Sequence, residues 1–258
     1  MPLYKSFKKN FRCRLELLRG VRSPARLLCD SLHLARGSYM ATNRDGDALR
    51  LVAGRGEWFA FYENLLRQDY LANLEPLKPG DCVADVGANI GAFTVIAGRL
   101  VGPSGRVFAF EPDPAIAERL RANVELNGLT NVVVHNCAVA GVTGEASFRR
   151  YAKSAWSSLS RAGQDRLPKG ANDFTVPVMG ARDMVRVCGG SVDLLKVDCE
   201  GSEYDLFDAL DVESARGVKR VTMEVHMVPN RTPGTLARPL EALGFRVEPG
   251  YPFRATRE

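Results

Sequence analysis

The sequence predicts an α/β fold: a mostly parallel, seven-stranded sheet with helices on both faces, preceded by a helical and hairpin extension. Three observations predict it. From residue 82 onward, short apolar runs alternate with segments of helical period, the pattern of strands joined by helical crossovers. The first run, 82–86, opens into two glycines four apart, Gly87 and Gly91, and then a helical run over 91–100. The second run, 107–110, ends on an acid, Glu111, at the sheet edge where open α/β sheets bind ligands.

Residues 1–38 form the first unit. Phe7, Phe11, Leu15 and Leu18 follow helical spacing among Lys5, Lys8, Lys9, Arg12 and Arg19, so 1–36 is expected to be a basic helix. Such a helix either lays its apolar stripe on the domain or makes peripheral contact with a membrane. The start is too poor in serine for an organelle-targeting peptide. Residues 39–80 form the second unit. Asp45-Gly46 between 39–42 and 48–52 is a hairpin signal. Residues 57–74 read as one helix on a stripe of Phe59, Tyr62, Leu65, Leu66, Tyr70 and Leu74.

The turn at Pro79-Gly80 delivers the chain into the third unit, 81–258. Strand 82–86 and helix 91–100 are followed by a turn at 102–105, strand 107–110, helix 114–126 capped by Asn127-Gly128, and strand 132–135. The rhythm then breaks. Residues 146–151 and 174–178 read as strands around a polar stretch holding Ser154, Trp156, Ser157 and Ser158. It resumes with strand 192–197, helix 203–210, strand 221–225, helix 235–243 and a final strand at 245–248.

Composition limits the function classes. At 258 residues, with 45% hydrophobic and 25% charged residues, the chain is an ordinary globular protein without an apolar run long enough for a membrane span. Six cysteines without a C-x-x-C pair indicate reduced, mostly buried thiols in a cytoplasmic protein, not a zinc or disulfide framework. The net charge of +5 is uneven: residues 1–50 carry +7 and the remainder −2. The body is therefore not basic, and nucleic acid is not an expected partner.

The chemistry starts at Asp85-x-Gly87-x-Asn89-x-Gly91. Glycines there let backbone approach a ligand closely. The spacing is not the G-x-G-x-x-G of dinucleotide binders. Asp85 would sit poorly beside a pyrophosphate but well beside a cation, and S-adenosylmethionine (SAM) has no phosphate but carries a sulfonium and an ammonium. Glu111, 24 residues past Gly87, is placed to accept two hydrogen bonds from a ribose. Together these features point to a class I SAM-dependent methyltransferase with a Rossmann-like fold rather than a dehydrogenase. A second constellation, Lys196-x-Asp198-x-Glu200-Gly201-x-Glu203, puts Asp198 and Glu200 at the carboxyl edge of the sheet. Acids so placed suit general-base work or part of a divalent-cation site. Lys196 reads as a partly buried ion-pair partner, and neither His33 nor His135 is given a role.

On these motifs the sequence resembles the FkbM-type methyltransferases, over roughly residues 39–248. The resemblance rests on Asp85-x-Gly87-Ala88-Asn89-x-Gly91, on Glu111-Pro112, on the Lys196-to-Glu203 string, on Glu224-x-His226 and on the patch Ser157-Ser158-Leu159. It implies methyl transfer from SAM to a hydroxyl of a sugar, glycan, polyketide or other secondary metabolite, so the expected partner is a small-molecule or carbohydrate acceptor. Asp85, Gly87, Ala88, Asn89, Gly91, Glu111, Pro112 and Asp198 are then SAM contacts, and Cys137 and Ala138 meet the adenine. The stretch 156–159 would lie over the pocket. An alcohol is a weak acid, so a base or a metal should assist. Asp198, Glu200 and His226 are the candidate catalytic residues, and Asp198 with Glu224 or His226 could chelate Mg²⁺ or Mn²⁺. N- or C-methylation on the same scaffold, and a catalytically silent SAM-binding scaffold protein, are the alternatives.

Overall fold

Apolar stripes and glycine turns build the chain into one layered body. The computed structural model describes residues 3–150, 158–159 and 172–257, with side chains of the first helix described from Arg12 onward. Helices α1 (Leu3–Gly20) and α2 (Ala25–Ser31) are followed by the hairpin β1 (Ser38–Thr42) and β2 (Ala48–Val52). Helix α3 (Glu57–Phe61) runs into a π-helical segment (Tyr62–Arg67) and a 3₁₀ turn (Asp69–Leu71). The core follows: β3 (Cys82–Val86), α4 (Ala92–Val101), β4 (Arg106–Phe110), α5 (Pro114–Leu126), β5 (Val132–His135) and β6 (Ala138–Ala140). Next come β7 (Gly144–Arg150), β8 (Ser158–Leu159), β9 (Asn172–Gly180), α6 (Ala181–Val187), β10 (Leu194–Val197), α7 (Glu203–Ala209) and α8 (Val212–Arg216). The chain ends through β11 (Arg220–Met223), α9 (Pro233–Ala242), β12 (Arg246–Glu248) and β13 (Phe253–Thr256).

The main sheet has seven strands in the order β12-β13-β11-β10-β3-β4-β5. Neighbours from β11 to β5 pair in parallel, and β13 runs antiparallel to both its neighbours. This is the expected Rossmann-like sheet, with one correction. The strand near residue 246 is the edge, not the end of the fold, because β13 returns between it and β11. The two strands expected around the polar stretch leave the main sheet: β7 and β9 pair antiparallel in a four-stranded sheet, β6-β9-β7-β8. Ser154, Trp156 and Ser157 lie outside the described residues.

The N-terminal region differs from its expectation in three ways, each with a local cause. The basic helix ends at Gly20, and the segment to residue 36 holds a second, short helix that starts after Pro24. Its buried positions in α1 are Cys13 and Leu17, with Val21 just beyond, whereas Leu15 and Leu18 are exposed; Phe7 and Phe11 lie outside the described side chains. The single helix expected over 57–74 is broken, because Gln68 adopts a left-handed φ of 53° that no helix continues through. These elements are not a separate appendage. Leu17, Val21, Leu27, Leu49, Leu51 and Phe61 share one apolar cluster with Ile90, Val95, Ile96 and Ile116 of the core. Among the described residues, no helix is long and apolar enough to cross a membrane. All six cysteines are free, three of them buried and Cys29 exposed.

Candidate active site

The β3–α4 loop turns through positive φ at Gly87 (74°), Asn89 (49°) and Gly91 (88°). Both glycines have protein atoms where a Cβ would stand, a reason for glycine that the ligand-approach reading did not include. A Cβ on Gly87 would lie 1.8 Å from the Asp198 carbonyl oxygen, and one on Gly91 would lie 2.4 Å from Leu120 Cδ1. Asp85 is also a correction. It is fully buried, accepts a 2.6 Å hydrogen bond from Thr94 Oγ1 and stands 3.1 Å from Lys196 Nζ. The cation beside Asp85 is therefore Lys196, and Asp85 supports the loop from behind without lining the cavity. Lys196 donates to Gly87 O at 2.9 Å. Burial opposes its charge, but Asp85 and Asp198 outweigh burial and hold its pKa above the ordinary lysine value.

In front of the loop lies a cavity of about 400 Å³, a volume suited to a nucleoside-sized ligand. Gly87, Ala88, Asn89, Ile90, Glu111, Pro112, Ala138 and Val139 line one part of it. Gly91 and Cys137 do not. Cys137 turns into the main core, where burial pushes its thiol up to about 11, and Val139 takes the lining place beside Ala138. Glu111 directly follows β4, with Oε2 accepting from Asn89 N and Oε1 from Asp113 N, each at 2.9 Å. Burial raises it to about 7. Each oxygen keeps a second lone pair, so the pair of ribose hydroxyls of SAM fits this carboxylate. Asn89 Oδ1 is buried without a hydrogen-bond partner, a second polar atom at this wall that the protein leaves unsatisfied.

The other part of the cavity is acidic. Asp198 and Glu200 follow β10, and Glu224 and His226 follow β11, so adjacent parallel strands bring all four to one edge. His226 Nε2 lies 3.5 Å from Glu200, 3.8 Å from Asp198 and 3.9 Å from Glu224. Glu203 fixes the histidine from below: its Oε1 accepts His226 N at 2.7 Å and stands 3.4 Å from Nδ1, a charge contact rather than a well-aligned hydrogen bond. Burial opposes a charged imidazole, but Glu203, Glu200 and Asp198 outweigh it and raise His226 to about 9. The acids around it thus favour the protonated imidazole, and a ligand or cation at this edge would shift that balance. Burial, first, and the neighbouring acids raise Glu200 to about 8.

Asp198, Glu224 and His226 each offer one ligand atom, all within 4.8 Å of one another. Two carboxylates and an imidazole are a donor set that Mg²⁺ or Mn²⁺ accepts, so these residues fit such an ion. The sequence presents Tyr70 only as part of an apolar stripe, yet its hydroxyl donates to Asp198 Oδ2 at 3.0 Å and reaches Glu224 Oε2 at 3.5 Å. No motif singles out Glu63 or Tyr251 either. Glu63 lines the cavity and accepts a hydrogen bond from the Tyr251 hydroxyl, and burial raises it to about 7.

The sequence model of the methyltransferase FkbM domain matches residues 85–247. The chain is 28% identical over 244 residues to the 31-O-demethyl-FK506 methyltransferase FkbM of Streptomyces tacrolimicus, covering 84% of this chain and 89% of that one. It is 26% identical over 173 residues to methyltransferase 1 of Beauveria bassiana, covering 61% of this chain and 69% of the relative. Among solved structures, the fibrillarin of Aeropyrum pernix with natively bound SAM aligns with a TM-score of 0.45 at 16% identity, over 86% of this chain and 94% of that chain.

Proposed function

The chain belongs to the FkbM methyltransferase family and is SAM-dependent, and from that premise we propose that it methylates a hydroxyl of a sugar, glycan or other secondary metabolite. The observation that carries this reading is one cavity with two chemistries: Glu111 and the β3–α4 loop on one side, and Asp198, Glu224 and His226 on the other. The relative named as a 31-O-demethyl-FK506 methyltransferase acts, by its name, on an oxygen.

When bound, SAM would supply an electrophilic methyl group: the acceptor oxygen would form the O–CH₃ bond as the S–CH₃ bond breaks, with S-adenosylhomocysteine leaving as a neutral thioether and the hydroxyl proton passing to the acidic edge. The chain's own part is to bind, orient and manage a proton. Glu111 holds the ribose, and Lys196 fixes the loop by bonding Gly87 O from behind. Holding the acceptor oxygen in line supplies much of the acceleration. Asp198, kept in place by Tyr70, is the carboxylate that meets the acceptor hydroxyl. His226, held among Glu203, Glu200 and Asp198, is the other proton-handling group at this edge. We assign it with Asp198 and Glu224 to a Mg²⁺ or Mn²⁺ site, where the ion would lower the pKa of a bound hydroxyl. Binding there requires His226 to release its proton.

The test is turnover of methyl-labelled SAM against a panel of methyl glycosides, sugar alcohols, polyketide alcohols and amines. Labelled ether products support the reading; label only on nitrogen or carbon, or none on any acceptor, overturns it. In EDTA, turnover should fall at least tenfold and return with Mg²⁺ or Mn²⁺. Full activity in EDTA removes the metal from the proposal.

A further inference from the structure

The family match begins at Asp85, yet the cavity has a wall built earlier in the chain, from Phe59, Ala60, Glu63, Asn64 and Tyr70. Glu63 stands out in that wall. It is 7% exposed, and among the described residues its one hydrogen-bond donor is Tyr251 and no cation pairs with it. A buried carboxylate without a cation is costly to the fold, so packing alone gives no reason for it. It also sits in the π-helical segment Tyr62–Arg67, a distortion that is frequent at functional sites.

Its position along the sheet edge says which end of the cavity it serves. Glu111 directly follows β4, on one side of β3, at the part of the cavity assigned to the cofactor. The acids follow β10 and β11 on the other side of β3. Tyr251 lies in the connection between β12 and β13, further along in the same direction. Glu63 itself feels the charges of Asp198 and Glu224, so the residue that Tyr251 holds belongs to the acidic part of the cavity rather than to the Glu111 part. An in-line transfer puts the acceptor on the far side of the methyl group from the cofactor.

We infer that Glu63, braced by Tyr251, is a specificity-determining residue that binds a second hydroxyl of the acceptor, so that the substrate class is a polyol rather than a monohydric alcohol. This rests on the O-methylation reading above. A carboxylate oxygen not used by Tyr251 accepts a hydroxyl proton in a hydrogen bond, while the reacting hydroxyl lies at Asp198. A site built to hydrogen-bond a hydroxyl discriminates strongly against an analogue that lacks it.

The experiment uses the full chain, the methyl glycoside turned over best in the panel, and the complete set of its monodeoxy analogues. Glu63→Ala and Tyr251→Phe are compared with wild type after thermal melting shows that each folds. Three results are expected together. Affinity for SAM stays within about twofold in both variants. Acceptor kcat/KM falls by 10- to 100-fold in Glu63→Ala, chiefly through KM. One non-reacting deoxy position costs wild type a similar factor but costs Glu63→Ala nothing further. The inference is overturned if SAM affinity falls as much as turnover, if every deoxy analogue loses the same factor in variant and wild type, or if monohydric alcohols match the glycoside. Failure of the parent reading is seen separately, in wild type alone, as SAM binding without any O-methylated product.

Discussion

Gly87 has no side chain because the Asp198 carbonyl already fills the space where one would go. Gly87→Ala combines that 1.8 Å clash with a φ of 74°, so it should destabilise the protein by roughly 2–4 kcal/mol. Gly128 is the matched control: its φ is 64°, but nothing lies within 4 Å of the point where a Cβ would stand, so Gly128→Ala should cost only about 1–2 kcal/mol. Urea unfolding of both variants checks this, and equal costs would mean that the clash is relieved by movement. The same residues mark what is legible in sequence. The spacing of Gly87, Asn89 and Gly91 locates the loop, because local φ demands select glycine and asparagine. It does not reveal what Asp85 faces. Lys196 is 111 residues away, and a carboxylate beside a ligand cation and one beside a buried lysine leave the same mark in a sequence.

Among the elements, the hairpin β1–β2 is held to the core by two asparagines of the α5 region. Asn123 Oδ1 accepts Arg50 N at 2.8 Å and its Nδ2 donates to Ile90 O at 2.8 Å. Asn127, which caps the helix, accepts from Ala48 N at 2.9 Å and donates to Ala48 O at 2.7 Å. Asn123 is 1% exposed, so Asn123→Ala leaves a backbone donor and acceptor without partners and should cost roughly 2–4 kcal/mol. Amide exchange should quicken at Arg50, and SAM affinity should weaken because Ile90 belongs to the cofactor loop. Unchanged exchange at Arg50 would show that the hairpin is held by packing alone. Asn127 is legible as a helix cap, since capping is local; its bond to the hairpin is not, because long-range partners carry no spacing rule. Strand β13 is hidden in the sequence for a related reason. Phe253–Thr256 alternates between buried and half-buried residues, but four residues are too short a run to announce a strand, and β11 and β12 supply the pairing that makes it one.

At the scale of the whole molecule, the cavity concentrates charge that the fold alone does not neutralise. Burial holds Glu63 and Glu111 at about 7 and Glu200 at about 8. An acid with a raised folded pKa stabilises the fold while protonated: the contribution is complete below its unfolded value of about 4.3 and is lost as pH rises through the folded value. His226, at about 9, adds stability that is complete below about 6.5 and is lost as pH rises through 9. All four therefore act in one direction. In EDTA and without SAM, the melting temperature should decline steadily from about pH 5 to pH 9. The carboxylates with lowered pKa, such as Asp193, lose their contribution only below about pH 4 and leave this window unaffected. Glu63→Gln and Glu200→Gln should each flatten the decline, because a neutral amide has no proton to lose. A melting temperature that is level or rising between pH 5 and 9 would show that the acids ionise without cost, and that solvent or a counter-ion already reaches the cavity. If the decline is found and Mg²⁺ reduces it at pH 8, the same repulsion that weakens the empty protein is what a bound cation relieves, and the acidic edge is then coupled to folding through its ligand.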